Sequence, residues 1–261
     1  VEKKLDFQLN YSKDIADISH SSFALSYNWK NIGIFAVDAL FLDYGDLHGT
    51  RRADNDQGFI ETGTFSPQNY AVGLSFSQKV SNRFSYGVRL KIAHEDLGEA
   101  WVSDKGVDFD DPEFTMRKKA YGKTEPAVDV GVVYDFLSHG IRFGAVIQNF
   151  SREIRYEDHK APLPFAVLFS MSVKPLSFFD NSWKEEDFIM VFESKHPRDY
   201  KEKYHIGMEY GVLNALILRA GYMKNYDERD LTFGAGLIKN YLNRKFKVDY
   251  AYQTFGIFGG V

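Results

Sequence analysis

Between residues 84 and 93 the chain alternates without a break. Phe84, Tyr86, Val88, Leu90 and Ile92 fall on one side of an extended strand, and Ser85, Gly87, Arg89, Lys91 and Ala93 on the other. A period of two is the signature of a β-strand with one apolar and one polar face. Thirteen segments carry the pattern, at 5–11, 23–29, 35–41, 70–76, 84–92, 128–136, 141–147, 165–173, 188–192, 204–210, 216–222, 231–237 and 246–252. In the ninth, Ile189 and Val191 make both faces apolar. No helical period is sustained, and no stretch approaches the roughly 18 consecutive apolar residues of a membrane-crossing helix. The chain is therefore all-β. Its apolar faces need cover, which a protein core, a partner or a lipid bilayer would each supply.

Composition narrows the choice. A length of 261 residues suits one large β domain over 1–261. A net charge of -4 lacks the basic footprint of a nucleic-acid binder. The 23 Phe and 16 Tyr favour strands, yet the mean hydropathy is only -0.35. Membrane strands have this property, because their apolar residues occupy every second position and averaging hides them. With no Cys, disulfides and thiolate metal sites are excluded. The opening Val1-Glu2-Lys3-Lys4 is not a signal peptide, as expected of a cytosolic chain or of one that starts after processing.

The links between segments alternate in length. Those at 30–31, 79–82, 137–140, 211–214 and 240–244 are short, whereas 43–66, 95–123 and 151–161 are long and polar. Alternation gathers the short links at one end of the strands, as in outer-membrane barrels with short periplasmic turns and long external loops. The link at 175–186 breaks this rule and reads as an enlarged turn. On the polar faces, Gly73, Gly87, Gly131, Gly144, Gly207, Gly221, Gly234 and Gly236 mix with Arg89, Asp129, Glu209, Arg219 and Asp249. Small residues among charges of both signs suit a narrow lumen in which the charges pair. Tyr or Trp near many strand ends, as at Tyr11, Trp29, Tyr70, Tyr134, Tyr204, Tyr210, Tyr222 and Tyr252, suits aromatic girdles at two membrane interfaces. The expectation is a transmembrane antiparallel up-and-down β-barrel of about 14 strands, with thirteen visible and one beyond the C-terminus, since single-chain bacterial barrels have an even count.

The segments "RFSYGVRLKIAHEDL", "AVDVGVVYDF", "IRFGAVIQNFSREIRYEDHKAPLPFAVLFSMSV", "YHIGMEYGVLNALILRAGYMKNYDERDLTFGAGL" and "VDYAYQTFGIFG" resemble, in order, the PorV/PorQ family of bacterial outer-membrane proteins, relatives of the FadL fatty-acid transporters. The resemblance covers nearly the whole chain and is strongest from residue 67 onward. It implies a FadL-like barrel in the bacterial outer membrane, in contact with lipid. It also implies a non-enzymatic role in type IX protein secretion, beside the translocon or bound to cargo. FadL-like passage of hydrophobic small molecules is the alternative. Members of that family begin with a Gly- and Ala-rich plug segment ending in an "NPAG"-like motif, and that segment and the last strand are expected to be missing from this stretch.

Enzymatic signatures are not found. The seven His residues, at 20, 48, 94, 139, 159, 196 and 205, lack the i, i+4 spacing of a helical zinc site. There is no nucleophile elbow and no phosphate-binding glycine loop, and Gly234-Ala235-Gly236 falls inside a strand. The acidic run "DKGVDFDDPE" matches no EF-hand spacing and reads as a solvated loop. No catalytic, cofactor or metal site is expected. The lumen charges Arg89, Asp129, Glu209, Arg219 and Asp249 read as mutually satisfied ions. The link 95–123 is the candidate surface for a protein partner, or a lid, because Trp101, Val107, Phe109, Phe114, Met116 and Tyr121 give it more apolar material than a solvated loop needs.

Overall fold

The computed structural model describes residues 4–14, 18–103, 116–136, 140–156, 159–178, 188–212, 215–241, 244–254 and 256. Thirteen strands form one antiparallel sheet. They are β1 (Leu5–Lys13), β2 (Ser19–Trp29), β3 (Gly33–Asp43), β6 (Gln68–Lys79), β7 (Phe84–Ser103), β8 (Met116–Asp135), β9 (Arg142–Ser151), β12 (Ala166–Val173), β13 (Phe188–Pro197), β14 (Lys203–Val212), β15 (Leu216–Lys224), β16 (Leu231–Tyr241) and β17 (Arg244–Gln253). Each pairs with the next in that order, so the sheet runs up and down as the alternating links require. Two separate hairpins, β4 (Leu47–Arg52) with β5 (Phe59–Phe65) and β10 (Glu153–Tyr156) with β11 (His159–Pro162), occupy links of the long class.

The faces are inverted relative to a water-soluble sheet. On β7, Leu90 and Ile92 are each 56% exposed, whereas Lys91 between them is 9% exposed. The same holds on β6, where Val72 and Leu74 are exposed and Gly73 is buried. The total accessible surface is 19085 Å². A compact soluble chain of 30.0 kDa would expose about 11,700 Å². Among the described residues the buried apolar set is only Ala127, Leu163 and Ala166. Among the described residues no protein core covers the apolar face of these strands, which leaves lipid as its solvent.

The chain divides into two units. The first comprises Val1–Ser77, Val88–Val128 and Phe150–Leu163. Its aromatic face runs Trp29, Phe35, Phe76 near the short-turn end, with centroid separations of 6.1 and 5.0 Å, and Phe41 with Tyr70 near the other. Asn31 takes φ 70° in the tight β2–β3 turn, a conformation that Asn tolerates better than most side chains. The second unit comprises Gln78–Gly87, Asp129–Asn149 and Pro164–Val261. There Tyr134 packs edge-on against Phe136, and Phe136 against Phe143, at a short-turn end.

Three expected links are shorter than the sequence suggests. Residues 95–123 are not one loop: β7 continues to Ser103 and β8 begins at Met116, so Trp101 and Tyr121 lie on strands. Leu97, Trp101 and Tyr121 are too sparse among the charges of these extensions to keep the alternation that marked the strands below them. Trp101 Nε1 donates to the Thr62 carbonyl at 3.2 Å, tying the extension to β5, and the Lys118 ammonium stands 5.6 Å over its ring. Val107, Phe109, Phe114, the acidic run at 104–113 and the Met116 side chain lie outside the described residues. The links 43–66 and 151–161 likewise contain the two hairpins. The enlarged turn after β12 opens with a 3₁₀ turn, Pro175–Phe178.

Candidate functional site

On the polar face of the first unit, Arg89 on β7 donates to Asp38 on β3, from Nε to Oδ1 at 3.0 Å and from Nη2 to Oδ2. The pair passes over β6 at Gly73. A Cβ on Gly73 would stand 2.5 Å from Arg89 Nε and 2.8 Å from Asp38 Oδ1, so glycine is what allows the close approach.

The second unit repeats the device. Glu209 on β14 faces Arg219 on β15, and Gly236 on β16 faces Asp249 on β17. Arg219 donates from Nε to Glu209 Oε2 and from Nη1 to Asp249 Oδ1, both at 2.6 Å, and Lys247 lies 3.3 Å from the other Asp249 oxygen. A Cβ on Gly236 would meet Asp249 Oδ1 at 2.5 Å. Four residues along β14 a second polar cluster forms. His205 Nδ1 is 3.0 Å from Glu193 Oε1, and its Nε2 is 2.8 Å from the Tyr226 hydroxyl. Burial, then the Glu193 charge, push the Tyr226 phenol above its ordinary pKa, so it remains a hydrogen-bond donor.

Between the two clusters lies a concavity of about 510 Å³. Its floor is Gly207, Gly221 and Thr232, and its apolar walls are Ile189, Val191 and Met223. Gly207 differs from the bridging glycines. Nothing lies within 4 Å of where its Cβ would be, so the space above it is open. The doubly apolar β13 now has a reason: Met190 and Phe192 face outward with Met208 and Ile206, and Ile189 and Val191 line the concavity.

Of the expected lumen charges, Glu209, Arg219 and Asp249 come together, while Arg89 serves the bridge in the first unit. Asp129 accepts the backbone N–H of Asn149 at 2.7 Å, where Asn149 takes φ 58° at the end of β9. Sequence reasoning missed Asp38, Glu193, His205 and Tyr226. Only Ile189 and Val191 carried a readable signal, as apolar residues on the face where charges were expected.

Among the described residues no group of His, Asp and Glu has the arrangement of a metal site. The fold is similar to that of the Pseudomonas putida toluene transporter TodX, with a TM-score of 0.57 at 11% identity over 95% of this chain and 80% of TodX. A Pseudomonas aeruginosa FadL homologue gives 0.54 at 10% identity over 95% of this chain and 79% of its own. The CymD monoaromatic hydrocarbon channel gives 0.50 at 11% identity over 96% of this chain and 81% of that channel. The architecture is thus the all-β FadL-like fold. These likenesses support the FadL-like fold expected from the sequence, but not the narrower PorV/PorQ assignment. No curated protein sequence matches the chain. A family model does match, over residues 15–210, well over half the length, and the chain belongs to the family described as F plasmid transfer operon, TraF, protein.

Proposed function

We propose that this protein is a non-enzymatic outer-membrane barrel that passes small hydrophobic molecules. The observation that carries the reading is the concavity over Gly207, apolar in its walls and placed on the face of the sheet turned away from lipid. A cavity of about 150 Å³ accommodates benzene, and this one is larger. The similar structures, a toluene transporter and a monoaromatic hydrocarbon channel, point to the same class of solute. The family description names an operon and no ligand. The role in type IX secretion, and with it a partner surface at Trp101, rests on the PorV/PorQ resemblance alone and is the weaker reading.

The test is uptake of labelled toluene by cells with an intact outer membrane that express the chain. Expression should speed entry over the empty vector. Gly207→Phe, which adds a ring in open space, should return the rate toward the vector at equal membrane level. Equal rates with and without the chain would remove the proposal.

A further inference from the structure

At the outer end of the second unit, Lys195 on β13 and Lys203 on β14 stand directly opposite one another in register. Like charges in that position destabilise a strand pair unless something offsets them. The carboxylates nearest in the chain are committed elsewhere. Glu193 is held by His205. Glu202 is turned to the other face of the hairpin, where Ser194 Oγ donates to it at 2.5 Å and Tyr204 Oη at 2.8 Å. No carboxylate among the described residues comes within ion-pair distance of either lysine. Lys203 is steered by aromatic rings, 4.2 Å over Tyr226 and 5.8 Å from the Tyr200 centroid, which orient the charge without cancelling it.

Both lysines are half-buried and line one recess of about 190 Å³. Arg198, Pro197 and Tyr200 complete its rim, and Asp199 is the one acid on it. Lys195 and Lys203 against Asp199 leave the recess positive. Elsewhere on this polar face, Glu193 is hydrogen-bonded to His205, and Arg219 is paired with Glu209 and Asp249.

We propose that this recess is an oxyanion-binding site, taking a phosphate or carboxylate group between Lys195 and Lys203. A doubly charged oxygen cluster accepts from both ammonium groups at once, which converts the cross-strand repulsion into two charge-assisted hydrogen bonds. The same chemistry is offered by a free oxyanion and by the head group of an amphiphile whose apolar part lies toward Val191 and Gly207. The site does not depend on the passage of apolar solutes.

The test uses the full chain in a neutral maltoside detergent, titrated calorimetrically at low salt with inorganic phosphate, butyl phosphate and butanol. Both phosphates should bind. Replacing both lysines, Lys195→Gln with Lys203→Gln, should weaken each by about tenfold, since each partly exposed ion pair contributes a few-fold. Lys195→Arg with Lys203→Arg should bind as the unaltered chain does, and heat-modifiability on a gel verifies the fold of each variant. Gly207→Phe should leave inorganic phosphate binding unchanged, which separates this site from the transport reading. Tighter binding of butyl phosphate than of inorganic phosphate identifies an amphiphile head group as the source, and equal binding identifies a free oxyanion. Absence of phosphate binding to the unaltered chain overturns the proposal. So does equal binding by the double Gln variant, a similar loss in the Arg pair, or butanol binding as well as butyl phosphate.

Discussion

Asp38 on β3 meets Arg89 on β7 across Gly73 of β6, and Arg219 on β15 meets Asp249 on β17 across Gly236 of β16. Each unit thus ties strands two apart by an ion pair that needs a missing side chain beneath it. The second unit adds Gly207, a glycine on the polar face of a sheet strand with open space above it and apolar walls on either side. Glycine on the polar face therefore carries two meanings. At Gly73 and Gly236 it clears a path for charges, and at Gly207 it clears volume for a ligand.

The largest expected effect separates these meanings directly. Gly73→Phe must displace the Arg89 guanidinium from Asp38 and overfill the site, at about 2–4 kcal/mol. Gly207→Phe meets nothing within 4 Å and should change stability by less than about 1 kcal/mol while abolishing the concavity. Urea unfolding in detergent, followed by intrinsic fluorescence, reads both. Equal destabilisation by the two substitutions would break the distinction.

A smaller effect sharpens the comparison of the bridges. The Arg89 pair is bidentate, with side chains 27% and 22% exposed, whereas Arg219 is 30% exposed and its carboxylates 42% and 43%. Water screens the second bridge more. Arg89→Leu should cost about 1–3 kcal/mol because it strands a half-buried carboxylate, and Arg219→Leu about 1 kcal/mol. Salt at 1 M should narrow the deficit of Arg219→Leu more than that of Arg89→Leu. The opposite order in unfolding experiments would mean that the two bridges are not the same device.

How much of this was legible beforehand follows from what alternation can encode. The thirteen sheet strands were readable because lipid on one face enforces apolar residues at every second position, as at Leu90 and Ile92. The extensions of β7 and β8 past the bilayer were not, because residues such as Lys118 and Lys119 meet water or other polar groups and no period of two survives. The hairpins β4–β5 and β10–β11 escaped for the same reason. Within the site, the charges Glu209, Arg219 and Asp249 stood out by type, and register brought them together. His205 did not stand out, because its partners Glu193 and Tyr226 lie 12 and 21 residues away in the chain and meet it only through strand pairing.

The smallest expected effect concerns how the two units hold their outer ends. In the first, the β4–β5 hairpin is held by strand pairing and by the bond from Trp101 to the Thr62 carbonyl, neither of which titrates. In the second, the turn between β13 and β14 hangs on Glu202, whose carboxyl is held below its ordinary 4.5 by the Ser194 hydroxyl first and the Tyr204 hydroxyl next. A carboxyl with a depressed folded pKa stabilises the fold above its unfolded value, and that contribution is lost as pH falls through the folded value. The window therefore lies below about pH 4.5, and Asp230, lowered first by its bond from Thr254, works in the same direction at the neighbouring turn. Glu202 is half-buried in a short turn at the end of the hairpin, so the change is local fraying rather than unfolding. Hydrogen exchange corrected for intrinsic rates should show protection at 198–204 falling between pH 6 and pH 3, with β4 and β5 changing less. Glu202→Gln keeps an acceptor but removes the titration, and should flatten the acid response of the turn. If the two hairpins lose protection together, or if the Gln variant responds to acid as the unaltered chain does, the outer ends of the two units are held alike.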